Sequence, residues 1–240
     1  MSVPSCYKKE TKPAKFCPGC GHSIVLKMLG QAIDELGIQK DAVFSIDIGC
    51  SLLAWDFYDV DTVQTHHGRT TPVAVGIKRG NPKSVVIAYT GDGGAYAIGL
   101  QSLLHSALRQ ENVTVITVNN TLYAMTGGQA APTTMPHEVT DSTPNGDFTL
   151  ESPLMGPELV SQIGNGDLYI ARGSVSNPMT LKKYIKKAIT HQMEGKGFSF
   201  VEALSICPTN WKTDAKGSFE FLKTMEEVYK LGEINRDGTS

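Results

Sequence analysis

Ser84-Val85-Val86-Ile87-Ala88-Tyr89-Thr90 runs directly into Gly91-Asp92-Gly93-Gly94, and the reading of this junction decides the fold. An unbroken apolar run of this length, closed by turn residues, marks a parallel strand covered on both faces. A helical pattern follows from about Ala95 to Arg109, then a second apolar run, Val113 to Val118, ending at Asn119-Asn120. Strand, glycine turn, helix and strand make one βαβ unit, which belongs in a parallel sheet. The alternation continues on both sides. Ala42 to Ile48 reads as a short buried strand ending in Gly49-Cys50-Ser51, preceded by a helix from about Ser23 to Leu36 that Gly37 caps. Pro72 to Arg79 reads as a short helix, Asp167 to Ala171 and Phe198 to Leu204 as strands, and Phe219 to Tyr229 as a closing helix. Thr180 to Met193 is an amphipathic helix whose lysines 182, 183, 186 and 187 form a solvated face. Thr126 to Asn165, rich in Gly, Pro, Thr and Asp, reads as a long loop of functional or partly disordered character. The expected architecture is α/β, a single mostly parallel sheet with helices on both faces. A polar arm (1–13) precedes a main domain (14–210), and a helical extension (211–240) packs on the same domain.

Composition narrows the function. Of 240 residues, 40% are hydrophobic and 19% charged, the balance of an ordinary globular chain. A net charge of −2 supplies no field for holding nucleic acid. No apolar run reaches the ~20 residues of a membrane span, and the polar start with its four lysines does not resemble a secretory signal. These features predict a cytoplasmic location. Glycine is in excess, at 24 residues. The five cysteines, at 6, 17, 20, 50 and 207, do not suggest a disulfide framework in a reducing compartment.

Ligands in open α/β sheets bind outside the carboxyl ends of the strands, where Asp92 and Asn120 are expected on neighbouring strands. Glycines there let backbone approach a phosphate at a helix N-terminus. A carboxylate and an amide oxygen beside that anion suit Mg²⁺. Each motif alone is equally an Asp-Gly turn or a helix cap; together, with 25 residues between Gly93 and Asn119, they favour a diphosphate–Mg²⁺ site. Cys17-Pro18-Gly19-Cys20 alone has three readings: half a zinc ribbon, a redox dithiol, or half an iron–sulfur site. A structural zinc normally shows a second close pair, which this sequence lacks. A thioredoxin-like dithiol follows a strand, and the preceding Lys-Pro-Ala-Lys is not one. Four thiolates can hold [4Fe–4S] even when two of them come singly from afar.

The spacing from Gly91-Asp92-Gly93 to Asn119-Asn120 resembles the motif of thiamine-diphosphate enzymes. With Thr126-Gly127-Gly128-Gln129, His67-Gly68-Arg69, Ile48-Gly49-Cys50-Ser51 and Cys17-Pro18-Gly19-Cys20-Gly21-His22 in order, residues 14–210 resemble the β subunit of 2-oxoacid:ferredoxin oxidoreductases. The resemblance implies Mg²⁺ held by Asp92, Asn120 and the Leu122 carbonyl, with Gly91, Gly93 and Gly94 at the diphosphate. It places Ile48, Gly49, Cys50, Ser51, His67, Gly68, Arg69, Ala124 and Met125 along the thiamine diphosphate, with catalytic parts for Cys50, His67 and Arg69. His66 is read as an ordinary surface or core imidazole. The implied [4Fe–4S] ligands are Cys17, Cys20, Cys50 and Cys207; Cys6 is left over as a bystander on a mobile arm.

The implied reaction is thiamine-dependent oxidative decarboxylation of a 2-oxoacid to an acyl-coenzyme A and CO₂, with single electrons leaving through the cluster to ferredoxin. Thiamine enzymes activate their cofactor with a carboxylate, usually Glu, from a second domain. The resemblance therefore implies a partner α subunit that supplies it with part of the 2-oxoacid and coenzyme A sites, and ferredoxin-like γ/δ subunits with further clusters. A thiamine decarboxylase or synthase without electron transfer, and a non-catalytic zinc-stabilised interaction module, are the competing readings. The four cysteines argue against the first; metal analysis would separate the second. Ser51-Leu52-Leu53-Ala54-Trp55 carries no cation, so an apolar wall of Leu52, Leu53 and Trp55 is expected to favour 2-oxoisovalerate and similar acids over 2-oxoglutarate, whose buried second carboxylate needs a partner; 2-oxoglutarate as main substrate, with an Arg from the partner subunit, is the alternative.

Overall fold

The computed structural model describes residues 3–8, 15–147, 151–163 and 166–235. In chain order they form α1 (His22–Leu36), β1 (Ala42–Ile46), a 3-10 helix (Cys50–Asp56), β2 (Asp61–Gln64), α2 (Thr70–Gly80) and β3 (Val85–Gly91). A π-helical turn (Gly94–Ile98) leads into α3 (Leu100–Leu108), then β4 (Thr114–Asn119), β5 (Leu122–Tyr123), β6 (Gln129–Ala130), α4 (Gly156–Ile163) and β7 (Tyr169–Ser174). The remainder is α5 (Pro178–Met193), β8 (Ser199–Leu204), α6 (Pro208–Trp211), α7 (Ala215–Val228) and β9 (Gly232–Glu233). A seven-stranded sheet has the order β2-β1-β3-β4-β8-β7-β9, parallel throughout except for β9. β5 and β6 pair separately as a small hairpin.

The apolar strands are continuous because both faces are covered. Val85, Ile87 and Tyr89 of β3 enter the core shared with α1, α5 and α7, while Val86 and Ala88 enter the core shared with α2, α3 and α4. β4 divides in the same way, Ile116 and Val118 to one side, Val115 to the other, joined there by Val113 just before the strand. Helix starts and stops follow local chemistry. Pro178 opens α5 behind Asn177, whose side chain accepts from the Thr180 amide, and Asp214 caps α7 through the Gly217 amide. Gly37, at φ 66°, closes α1.

Three expectations need correction. The stretch 126–165 is not one irregular loop: β6 and α4 lie within it, and 148–150, 164 and 165 fall outside the described residues. Cys6 is not on a mobile arm. It is 0% exposed, its thiol faces the Gly30 carbonyl, and neighbouring Tyr7 packs edge-on against Phe57 and Tyr58; residues 9–13 of the expected arm are outside the described residues. The lysine face of α5 is only partly free, since Lys182 and Lys186 converge on Glu35 of α1.

The topology places the site. From β1 the chain moves outward to β2, and from β3 it moves the other way to β4, so a crevice opens between the carboxyl ends of β1 and β3. All parallel strands end on this side, delivering Asp47 after β1, Asp92 after β3, Asn120 after β4 and Cys207 after β8.

Candidate active site

A cavity of about 340 Å³ fills the crevice. Its walls include Ile48, Gly49, Cys50, Ser51, His67, Gly91, Asp92, Gly93, Gly94, Asn120, Leu122, Ala124 and Met125, so most residues singled out from the sequence meet there. Gly68 and Arg69 do not line it. Arg69 is exposed, its guanidinium donating to the carbonyls of Gly68 (3.3 Å) and Ile98 (3.0 Å). His66 is exposed, as an ordinary surface imidazole would be. Leu52, Leu53 and Trp55 are not cavity walls either. Leu53 packs on the main core, and Trp55 lies beneath the ammonium groups of Lys8 and Lys15, 5.6 and 4.6 Å from the ring centre. The apolar walls are instead Ile48, Ala97, Ile98, Leu122, Ala124 and Met125, beside Tyr123.

Asp92 is 2% exposed, not surface-facing, and burial pushes its carboxyl up to about 7. The Gly93 amide (2.9 Å) and the Thr133 hydroxyl donate to it. Among the described residues this buried carboxylate has neutral donors only, and it fits a cation as its missing partner. Asn120 and Leu122 line the same cavity, separated by Thr121 at φ 65°, a rare backbone state for a β-branched residue. The glycines form a cradle. A Cβ on Gly94 would lie 1.6 Å from Asp47 Oδ2, and one on Gly93 would lie 2.4 Å from the Tyr123 ring. Backbone amides can approach an anion here where no side chain fits.

Sequence reading passed over Asp47, hidden at the end of an apolar strand. It is 1% exposed and accepts from the Gly68 amide (2.9 Å) and the Thr90 hydroxyl (2.8 Å), tying the His67–Arg69 loop to β1 and β3. An acidic residue closing an otherwise apolar run was the available signal. His22 was also passed over. Its imidazole lines the cavity, stacks on Phe16 at 5.1 Å and meets the Tyr89 hydroxyl at 2.7 Å, and burial pushes it down to about 3.

The cysteine loop is docked by backbone: the Gly21 amide donates to the Ile206 carbonyl, and a Cβ on Gly21 would strike Ser205. Cys17 and Cys20 are thereby brought beside Cys207, with Cys50 at the cavity wall. The proximity shows in the thiols. Burial pushes Cys20 and Cys50 up to about 12, and the charges of other members of the set add to this. The His22 amide donates to the Cys20 sulfur, and Asn210 donates to Cys207 through its backbone and side chain, as suits anionic sulfur. Ser205 Oγ beside them is buried without a partner among the described residues. Cys6 lies apart, with burial and Asp34 raising its thiol to about 12. Among the described residues, no three Cys, His, Asp or Glu groups have the geometry for a single metal ion. Cluster thiolates bind separate irons and need no such convergence, so the set fits a cluster. Asn210, missed in the sequence, also donates to the Ala124 carbonyl at 2.8 Å and so joins Cys207 to the cavity loop.

Residues 47–203 match the family model described as thiamine pyrophosphate enzyme, C-terminal TPP binding domain. The 2-oxoglutarate synthase subunit KorB of Methanothermobacter thermautotrophicus is 38% identical over 92% of this chain and 75% of its own. The chain belongs to the β-subunit family of 2-oxoacid:ferredoxin oxidoreductases. The ketoisovalerate oxidoreductase subunit VorA of the same organism is 44% identical over 90% of this chain; the match spans 46% of that relative, so the chain covers about half its length. A solved structure of 2-oxoglutarate:ferredoxin oxidoreductase from Magnetococcus marinus, with 2-oxoglutarate, coenzyme A and succinyl-CoA bound, superposes with a TM-score of 0.80. It is 27% identical and covers 99% of this chain and 88% of that one. Among the described residues no helix is long and apolar enough to cross a membrane.

Proposed function

We propose that this chain is the thiamine-diphosphate-binding subunit of an enzyme that oxidises a 2-oxoacid to acyl-coenzyme A and CO₂ and reduces ferredoxin. The observation that carries this is the meeting of Asp92, Gly93, Gly94, Asn120, Leu122 and Cys50 in one cavity at the sheet's switch point. In this reading Asp92, Asn120 and the Leu122 carbonyl hold Mg²⁺, and the Gly91–Gly94 turn receives the diphosphate. Cys17, Cys20, Cys50 and Cys207 hold [4Fe–4S]. When bound, thiamine diphosphate supplies the electron sink for loss of CO₂. The protein's own part is positioning. Asp47 holds the His67–Arg69 loop, which places His67 on the cavity wall and leaves Arg69 to clamp the Ile98 carbonyl. Cys50, in this reading a cluster ligand as well as a wall residue, would place a one-electron acceptor beside the bound cofactor.

The cavity walls contain no Glu among the described residues, which supports a partner α subunit as the source of the activating carboxylate and of part of the 2-oxoacid and coenzyme A sites. Ferredoxin-like γ/δ subunits complete the proposed assembly, with ferredoxin as acceptor.

Among the described residues the walls also contain no Lys or Arg. Ile98 and Met125 are exposed in this chain alone; once a partner subunit covers them, burying a second carboxylate against them and Leu122 would cost several kcal/mol, and each ~1.4 kcal/mol is a factor of ten. The assembled complex should therefore oxidise 2-oxoisovalerate with kcat/KM at least tenfold above that for 2-oxoglutarate, with methyl viologen as acceptor. A tenfold preference for 2-oxoglutarate would overturn the substrate assignment. Absence of thiamine diphosphate from the complex would overturn the function.

A further inference from the structure

Asp92 and the Asn120–Leu122 turn lie at the ends of different strands, yet both are tied to one short segment, residues 131–138. The Thr133 hydroxyl donates to Asp92 Oδ2. The Thr134 hydroxyl donates to the Thr121 carbonyl at 2.6 Å, and Thr121 Oγ1 donates to Glu138 Oε1 at 2.7 Å. The segment is itself locked. Glu138 Oε2 accepts from the Met135 amide (2.9 Å), Thr134 Oγ1 accepts from the Ala131 amide (2.8 Å), and the Thr133 carbonyl accepts from Tyr229 at the end of α7 (2.7 Å). Thr121, Thr133 and Thr134 are all 0% exposed.

These bonds explain how Thr121 is kept at φ 65°. A β-branched residue held there is strained and persists only where its surroundings over-determine it. Thr121 is held at its carbonyl by Thr134, and its hydroxyl lies between Glu138 Oε1 (2.7 Å) and the Asn120 carbonyl (2.6 Å). Its left-handed turn sets the relation between the Asn120 side chain and the Leu122 backbone. The Thr133 hydroxyl does the equivalent for Asp92, occupying Oδ2 while the Gly93 amide occupies Oδ1, which limits rotation of the carboxylate.

We propose that Thr133, Thr134 and Glu138 are positioning residues for the cation. They hold Asp92 and the Asn120–Leu122 turn in binding geometry before the metal arrives, so cation affinity depends on a segment that touches no ligand. The inference rests on reading Asp92, Asn120 and Leu122 as the Mg²⁺ site.

The test is a Mg²⁺ titration of thiamine diphosphate binding to the assembled complex, followed by calorimetry, with the melting temperature of the metal-free complex recorded in parallel. A hydrogen bond to a charged group is worth roughly 1.5–3 kcal/mol. Thr133→Val, which keeps shape and removes the hydroxyl, should raise the Mg²⁺ concentration for half-saturation about tenfold or more. Thr133→Ser should stay within about twofold of the parent. Thr134→Val, at the second link, should shift the midpoint in the same direction, and it decides the question if Thr133→Val does not assemble. A lower melting temperature with an unchanged Mg²⁺ midpoint in the Thr133 and Thr134 variants would reduce the segment to a structural prop and overturn the proposal. Asp92→Ala separates the two failures: if it too leaves the Mg²⁺ dependence unchanged, the metal site itself is misassigned.

Discussion

Gly94 has no space for a side chain, because the position its Cβ would take is already held by Asp47 Oδ2. Gly94→Ala should therefore push Asp47 off the Gly68 amide and the Thr90 hydroxyl. We expect a loss of at least 2 kcal/mol, of the order seen for overpacking in a core, and thiamine diphosphate affinity reduced beyond detection by calorimetry. Parent-like melting and affinity would show that the cradle is looser than described. The cysteines separate by environment in the same way. Cys207→Ser should lower iron and sulfide content in anaerobically purified protein, while Cys6→Ser, its side chain against the Gly30 carbonyl, should leave both unchanged. The opposite pattern would reverse the ligand set. His22 carries a pH dependence. Folded, it binds a proton only near pH 3, against 6.5 for an ordinary imidazole, so between these values the unfolded chain holds more protons. This contribution to stability is present above pH 6.5 and is lost as pH falls, by roughly 2 kcal/mol at pH 5. Asp92 and Glu138, raised to about 7 by burial, act in the opposite sense, so the comparison needs a variant. His22→Gln should lose less melting temperature than the parent between pH 7 and 5. Equal losses would mean that the imidazole is not held neutral.

At the scale of elements, the site depends on close approach between loops. Gly68, at φ 65°, lies against Gly99 at the end of the π-helical turn, where an added Cβ would come within 2.5 Å of the Gly99 amide. Gly68→Ala is strained twice, in dihedral and in space. It should displace His67 from the cavity wall and weaken thiamine diphosphate binding at least tenfold, while iron content stays at the parent level. Loss of iron as well would show that the two sites are not independent. The elements legible in the sequence were those with a long apolar run or a clear helical pattern: α1, β1, α2, β3, α3, β4, β7, α5, β8 and α7, with ends displaced by up to five residues. Those missed are short or exposed. β2 is a four-residue edge strand with little burial, α6 has four residues, and β9 has two. α4 was hidden because its eight residues follow a Gly- and Pro-rich stretch, and such a helix is held by packing rather than by its own propensity. Its Val160 enters the core, and its Glu158 reaches a buried arginine.

That arginine organises the molecule as a whole. Arg172 on β7 is 0% exposed and binds Glu158 of α4, Glu202 of β8 and the Lys230 carbonyl beyond α7, with its guanidinium over the Tyr229 ring. Glu202, equally buried, also accepts from Tyr96 of the π-helical turn and from Asn119. Arg172→Ala would leave Glu202 buried without its cation, at a cost of about 3–5 kcal/mol. For a chain of this size that is roughly ten degrees of melting temperature. A change under two degrees would show that the network is dispensable.

What the sequence by itself determined was the succession of parallel strands and the residues at their carboxyl ends. Periodicity and glycine turns are local properties; Asp92 and Asn120 follow their strands directly, and Cys50 comes four residues after the end of β1. Only the tertiary structure decided which chain-distant groups meet. Asp47 under Gly94, segment 131–138 behind Asp92, and Asn210 between Cys207 and Ala124 have no local signature. The same holds for the walls of the cavity: Leu52, Leu53 and Trp55 follow Cys50 in sequence, but the 3-10 helix that begins at Cys50 carries them away from it. Proximity along the chain fixes covalent distance, while proximity to a ligand depends on how sheet order and helix packing fold the ends of four strands onto one side.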